Sequence, residues 1–223
     1  MIELNTFSLT ARCPETGMLG VVISTARPAV GSLAPYVKAG AGAIATQALV
    51  NPFYGIDGLK LLDEGKNPGD VVKHVTAADE DRERRQLAIV DASGNTAAFT
   101  GRDTVPWQGH IEGEQFVAAG NMLTGPETLE KMAETFTALQ KDEPFEIRML
   151  EALKSGQNAG GDKRGKQSAA LYIAAEEEYP YIDLRVDEHE NPVQELFRIY
   201  EVCRKDLFPY TTNMPKRKQG GLD

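Results

Sequence analysis

The sequence predicts an α+β fold in which two antiparallel sheets pack face to face with helices on both outer surfaces, a four-layer αββα sandwich. Three observations carry it. Segments with strand and helix periodicity follow one another as strands, two helices, strands, two helices, strands, helix, a grouping that favours stacked antiparallel sheets over alternating βαβ units. Strands that are neighbours in sequence are joined by short, turn-rich connections of the hairpin kind. Residues 40–49 are small and apolar until Thr46 and Gln47, which suits a strand covered on both faces.

The elements follow in chain order. Residues 6–12 and 19–27 form a hairpin around Cys13-Pro14-Glu15-Thr16-Gly17, and the run 40–49 is the next strand. A helix over 52–64 places Ile56, Leu59, Leu61 and Leu62 near helical spacing and stops at Gly65. A second starts after Asn67-Pro68 and carries Val71, Val72 and Val75 to about residue 78. Residues 79–85 hold no large apolar side chain and read as a surface connection. A hairpin over 86–91 and 96–100 turns at Ser93-Gly94-Asn95, and another strand pair covers 109–111 and 115–119. A turn over 120–125 feeds a helix over 126–139, with Pro126 in its first turn and Glu127 near its positive end. A helix over 144–153, strands over 167–175 and 181–186, and a helix over 192–207 with Val193, Leu196, Ile199, Tyr200 and Val202 complete one domain, 1–208. Residues 209–223 are read as a tail, and no internal repeat is found.

Composition narrows the function classes. A chain of 223 residues that is 41% hydrophobic builds a substantial core. A formal charge of −9 argues against a nucleic-acid partner, which needs a clustered basic surface. Lys216-Arg217-Lys218, the single basic run, reads as a solvated terminus. There is no apolar stretch long enough for a membrane span, and residues 1–10 lack the basic start and apolar core of a secretion signal, which points to the cytoplasm. Cys13 and Cys203 are far apart and read as inert thiols; His74, His110 and His189 have no zinc-ligand spacing, so no metal or other cofactor is implied. Two-sheet sandwiches with apolar outer helices suggest a homo-oligomer.

Two local features point to chemistry. Thr6 heads the first strand, and a threonine is a self-sufficient nucleophile when it is the first residue, its own α-amine serving as base. Residues 1–5 stand before it, so that role requires cleavage between Asn5 and Thr6. The loop 160–166 imitates a phosphate-binding loop through Gly160, Gly165 and Lys166, but Gln167 stands where a magnesium-holding hydroxyl belongs and the order is helix, loop, strand. Without a helix N-terminus behind it the loop lacks the dipole that holds phosphate. Two readings of the loop remain: Asp162 and Arg164 held at a strand entrance and pointing into a cleft, with Gln167 and Ser168 adding polar groups, or an ordinary polar turn with glycines for backbone reasons.

Taken together, Thr6-Phe7-Ser8-Leu9, Gly40-Ala41-Gly42-Ala43, Ala45-Thr46-Gln47-Ala48, Asn51-Pro52, Val90-Asp91, Ala98-Phe99-Thr100-Gly101, Gly120-Asn121-Met122-Leu123, the loop 160–165 with Gln167-Ser168-Ala169-Ala170, and Asp183-Leu184-Arg185-Val186-Asp187 resemble the domain of unknown function 1028 family of bacteria and archaea. That resemblance covers residues 6–200 and implies an N-terminal nucleophile hydrolase fold. A looser likeness to proteasome β subunits lends roles: Thr6 as nucleophile, Asn121 as a polar group lining the site, Asp162 as support for the terminal amine. Proteasome subunits also place a lysine beside the nucleophile, for which Arg12 or Arg27 substitutes here. On this reading Gln47 and Asn51 line the same cleft, Arg164 with Asp162 orients the amine or a substrate carboxylate, backbone N–H groups near Gly120-Asn121 stabilise an oxyanion, and the substrate is a small amide. Two alternatives stand beside it: a non-catalytic ligand-binding or assembly protein with the same fold, in which Thr6 is the first residue of a buried strand, and hydrolysis by another group with Thr6 blocked.

Overall fold

The computed structural model describes residues 3–139, 143–211 and 213–217. Its strands are β1 (Glu3–Leu4), β2 (Thr6–Arg12), β3 (Leu19–Thr25), β4 (Pro35–Lys38), β5 (Gly42–Leu49), β6 (Arg85–Asp91), β7 (Thr96–Thr100), β8 (Gly109–Gly113), β9 (Phe116–Gly120), β10 (Ser168–Ala174) and β11 (Ile182–Val186). Its helices are α1 (Pro52–Asp63), α2 (Pro68–Ala77), α3 (Glu127–Ala138), α4 (Phe145–Asn158), α5 (Pro192–Asp206) and α6 (Phe208–Thr211). One sheet has the order β1-β5-β6-β7, with β4 also on β5; the other runs β11-β10-β3-β2-β9-β8. Every pairing is antiparallel.

Side-chain alternation along the central strands sorts the apolar residues into three layers. On β2, Phe7, Leu9 and Ala11 face outward and pack with Leu129 and Met132 of α3, Leu150 and Leu153 of α4 and Leu196 of α5. On β5 and β6, Ile44, Leu87 and Ile89 face the opposite outer side, with Tyr54 and Leu62 of α1 and Val71 of α2. Between the sheets lie Val21, Ile23, Val90 and Val117 with Ala43, Ala45, Ala88, Ala119 and Ala170, mostly small side chains that let the sheets close on one another. All eight residues of β5 are buried, as expected of a strand covered on both faces. The architecture is the four-layer αββα sandwich. Among the described residues no helix is long and apolar enough to cross a membrane.

Four features depart from the sequence reading. β4 begins with a proline and β1 has two residues, too short for periodicity to register; their strand conformation comes from pairing with β5. α4 continues to Asn158 instead of stopping near 153, although Ser155, Gly156 and Asn158 are weak helix formers. Packing overrides propensity there: a side chain on Gly156 would meet Met132 Cγ at 2.6 Å, and Ser155 Oγ donates to the Lys131 carbonyl at 2.9 Å. Where the sequence predicts a tail after residue 208, α6 continues the helical structure to Thr211, and its first residue, Phe208, stacks on Tyr181 with centroids 6.1 Å apart.

Fourth, the basic run is not simply solvated. Lys216 Nζ reaches Glu176 at 2.7 Å, the Arg217 guanidinium reaches Glu178 at 2.7 Å, and Tyr179 Oη donates to the Pro215 carbonyl at 3.1 Å. Lys218 lies outside the described residues. Both ion pairs are more than half exposed, a setting in which water and salt screen most of the attraction. Deleting residues 213–223 is therefore expected to leave the urea unfolding midpoint nearly unchanged, and the part of any shift that comes from the ion pairs is expected to vanish in high salt.

Candidate functional site

β1 pairs with β5 in one sheet while Thr6 opens β2 in the other, so Asn5 carries the chain across the gap between the layers. Asn5 is 3% exposed and Thr6 wholly buried. The hairpin register sets Thr6 opposite Thr25, the last residue of β3. The Asn5 carbonyl accepts two hydrogen bonds, from Thr25 Oγ1 at 2.6 Å and from Arg164 Nη2 at 3.0 Å.

Arg164 is fixed by Asp162. The guanidinium donates to the carboxylate through Nη2 at 2.6 Å and Nε at 3.1 Å, and the Arg164 backbone N–H adds a bond of 2.9 Å. Asp162 also accepts from the Ala26 N–H at 3.1 Å, which ties the loop to the end of β3. Its side chain is fully shielded, so a charged pair with excellent geometry stands where an unpaired carboxylate would be costly. The glycines of the loop have the backbone reason expected of a turn, and the turn they make brings Asp162 and Arg164 against Asn5. Gly160, Gly161 and Gly165 have φ of 125°, 61° and 117°, and a side chain on Gly160 would meet Thr124 Oγ1 at 2.1 Å. The loop is stitched to the turn after β9 by Thr124 N–H to the Gly161 carbonyl and Lys163 N–H to the Met122 carbonyl, and this directs Asp162 and Arg164 inward.

The other expected site residues divide. The Asn121 N–H donates to the Thr6 carbonyl at 3.0 Å, which places Asn121 against Thr6 through its backbone. Its side chain joins a buried polar network between the sheets. Ser8 Oγ donates to Gln47 Oε1 at 2.9 Å, Gln47 Nε2 to Gln86 Oε1 at 2.8 Å, and Asn121 Nδ2 to Gln86 Oε1 at 3.0 Å. Gln86 Nε2 lies 2.9 Å from the Gly120 carbonyl, the Gly109 carbonyl and Thr100 Oγ1, two of which its two hydrogens satisfy at once. Asn121 Oδ1 is buried without a partner. Gln47 is thus adjacent to the site through Ser8.

Asn51 lies elsewhere: it caps α1 by accepting from the Phe53 N–H, and lines a depression of 360 Å³ with Tyr54 and His74 over α1 and α2. Arg27 is exposed, and Arg12 is engaged with Gln115 at 2.8 Å, so the positive charge at Asn5 and Thr6 is that of Arg164. Ser168 Oγ bonds the Arg27 carbonyl and the Val30 N–H at 2.6 and 3.1 Å, fastening the loop after β3; Gln167 uses its N–H on the Thr25 carbonyl. Among the described residues no cluster of His, Cys, Asp and Glu is arranged to hold a metal ion.

A family model described as a family of unknown function, DUF1028, matches residues 6–196, a span that opens on Thr6 itself. The chain belongs to the DUF1028 family. A DUF1028 protein of known structure, SPO2555 from Silicibacter pomeroyi, is 35% identical over 93% of each chain with a TM-score of 0.85. Anbu, the ancestral beta-subunit from Yersinia bercovieri, is 13% identical over 96% of this chain and 100% of its own, with a TM-score of 0.40. No curated protein matches the chain.

Three residues of this DUF1028 protein that the sequence reading passed over belong to the site or its support. Thr25 was recoverable, since a turn centred on residues 15 and 16 puts residue 25 opposite residue 6. Gln86 stood at the start of a predicted strand with nothing to mark it as central. Arg85 lay in what read as a surface connection, yet it is buried: Nη1 donates to the Leu49 carbonyl at 2.7 Å and the Val50 carbonyl at 3.3 Å, while its guanidinium pairs with Asp79. Burial alone would raise the Asp79 carboxyl, but hydrogen bonds from Arg85 and Asn51 win and hold it at about 2 against an ordinary 3.8.

The lowered carboxyl contributes stability that is present above 3.8 and lost as the pH falls toward 2, up to about 2 kcal/mol. Acid titration of unfolding is expected to show that loss in the wild type and a flatter curve in Asp79→Asn. Replacing Gln86 by alanine leaves Gln47, Asn121 and the Gly120 carbonyl short of partners in a dry interior, with an expected cost of about 3 kcal/mol in chemical denaturation.

Proposed function

We propose that this chain is the precursor of an amide hydrolase of the N-terminal nucleophile type, in which Thr6 first cuts the Asn5–Thr6 bond and then, with its amine free, hydrolyses amides. The observation that carries the reading is the pair of donors on the Asn5 carbonyl, Thr25 Oγ1 and Arg164 Nη2. A hydroxyl and a guanidinium aimed at the carbonyl next to a threonine are what an attack by that threonine needs, because negative charge gathers on this oxygen as the carbon becomes tetrahedral.

The steps balance as follows. Thr6 Oγ attacks the Asn5 carbonyl carbon, the C–N bond breaks, and the Thr6 nitrogen takes the hydroxyl proton, leaving an ester and a free amine. Water hydrolyses the ester and releases the segment that precedes Thr6. In the mature form the Thr6 amine, with an unperturbed pKa of about 7.7 to 8.0, takes the hydroxyl proton during attack on a substrate amide and returns it to the leaving nitrogen. Arg164 and Thr25 serve as oxyanion donors in both reactions. They replace the Gly120-Asn121 groups in that role, because the Asn121 N–H already serves the Thr6 carbonyl and its Nδ2 serves Gln86. Asp162 holds Arg164 in place.

The second reading, a non-catalytic binding or assembly domain, is favoured by the complete burial of Thr6 while residues 3–5 are in place. Intact mass separates the two. The expected result is a species that begins at Thr6, a Thr6→Ala chain that stays whole and inert on amides, and maturation slowed about 10²- to 10³-fold in Arg164→Met. A full-length chain that hydrolyses amides, or a matured chain whose activity survives loss of the Thr6 hydroxyl, would overturn the proposal; a full-length chain inert on amides makes this a non-catalytic domain.

A further inference from the structure

We infer that residues 3–5 occupy the acyl side of the substrate site, and that the processed protein takes an extended peptide carrying a neutral polar residue of asparagine's size just before the scissile bond. This rests on the Thr6 chemistry proposed above and adds the substrate class.

The first support is backbone pairing. β1 lies antiparallel against the end of β5, Glu3 opposite Leu49 and Leu4 opposite Ala48. It forms the border of its sheet, so its departure uncovers a length of strand edge beside Thr6. An edge of this kind binds an incoming extended chain through main-chain hydrogen bonds, which read direction and extension and leave side chains free to vary. The edge is also held in shape without β1: the Arg85 guanidinium, itself fixed by Asp79, grips the carbonyls of Leu49 and Val50 where the strand ends.

The second support is local strain. Among the described residues four other than glycine have positive φ, and two of them border this segment: Ala48 at 64°, paired with Leu4, and Met122 at 54°, beside Asn5. Neither has the short polar side chain that eases the left-handed region, and such conformations persist where the surroundings impose them, often at binding sites.

The third support is the seat of the Asn5 side chain. It is buried, with Nδ2 3.5 Å from Met122 Sδ. A thioether is a weak acceptor that tolerates an amide but offers no counter-charge, and the nearby Arg164 guanidinium is already committed to Asp162, so an ionised side chain in the same place would lose its hydration with little in return. The carbonyl of this residue is the one that Thr25 and Arg164 already hold. A peptide in the place of residues 3–5 therefore presents its carbonyl to Thr6 Oγ; attack breaks the C–N bond, the leaving amine takes the proton, and water frees the shortened peptide as its carboxylate.

The test uses protein matured to begin at Thr6, with acetyl-Glu-Leu-Asn-p-nitroanilide and acetyl-Asn-p-nitroanilide as probes. The tripeptide is expected to have a kcat/KM about tenfold or more above that of the single residue, and to lose about as much when Asn is replaced by Asp. N-methylation of its Glu and Leu amides in turn is expected to lower the rate at the one position that faces β5. Equal turnover of both probes, or Thr6-dependent hydrolysis confined to small amides, overturns the inference and leaves the Thr6 reading standing. A chain that is never cut and hydrolyses no amide overturns both.

Discussion

A guanidinium anchored by a carboxylate that water does not reach holds the centre of this molecule together. Through Asp162, Arg164 is tied to the end of β3 at Ala26; through its own fork it reaches the Asn5 carbonyl, and through the loop that carries both it is bound to the turn after β9. Four chain segments far apart in sequence meet on this one ion pair. A buried pair stabilises little by itself once desolvation is counted, but losing one member strands the other. Its main effect is to fix position: it sets where a positive charge stands relative to Thr6, and the rest of the site is arranged around that point.

Around it the interior is polar in a controlled way. Most of the space between the sheets is filled by alanine and valine, which bring the layers close. At one end that packing gives way to Ser8, Gln47, Gln86 and Asn121, amides and hydroxyls that satisfy one another and two backbone carbonyls. Such a network specifies how one sheet sits on the other, since sliding by one residue would leave several buried groups unpaired. It gives the Thr6 end of the sandwich a rigid floor, and the arrangement ends in one unpartnered oxygen, Asn121 Oδ1.

Most of the fold was legible because it rests on periodicity. The hairpins, the doubly covered β5 and the helix pairs all leave patterns of two or 3.6 residues in a single stretch of chain. β1, β4 and the last turn of α4 were not legible, since each owes its conformation to a partner remote in sequence. The site divides along the same line. Thr6, Asp162 and Arg164 stood out through local context, whereas Gln86 and Arg85 acquire meaning only from what lies across the sheet. Arg27 and Asn51 were misplaced for the complementary reason. Each lies near the site in sequence, but one faces solvent and the other is committed to capping a helix.

The passage of the chain from one sheet to the other at Asn5 has a mechanical side. As long as the Asn5–Thr6 bond is whole, a covalent strut braces the two layers at this corner, with β1 fastened to β5 at one end and β2 to β3 and β9 at the other. Cutting it would leave the layers joined there only by side chains such as Ser8 and Gln47. Thr6, buried while the strut is whole, would then stand at an opened seam above a floor that the amide network still fixes.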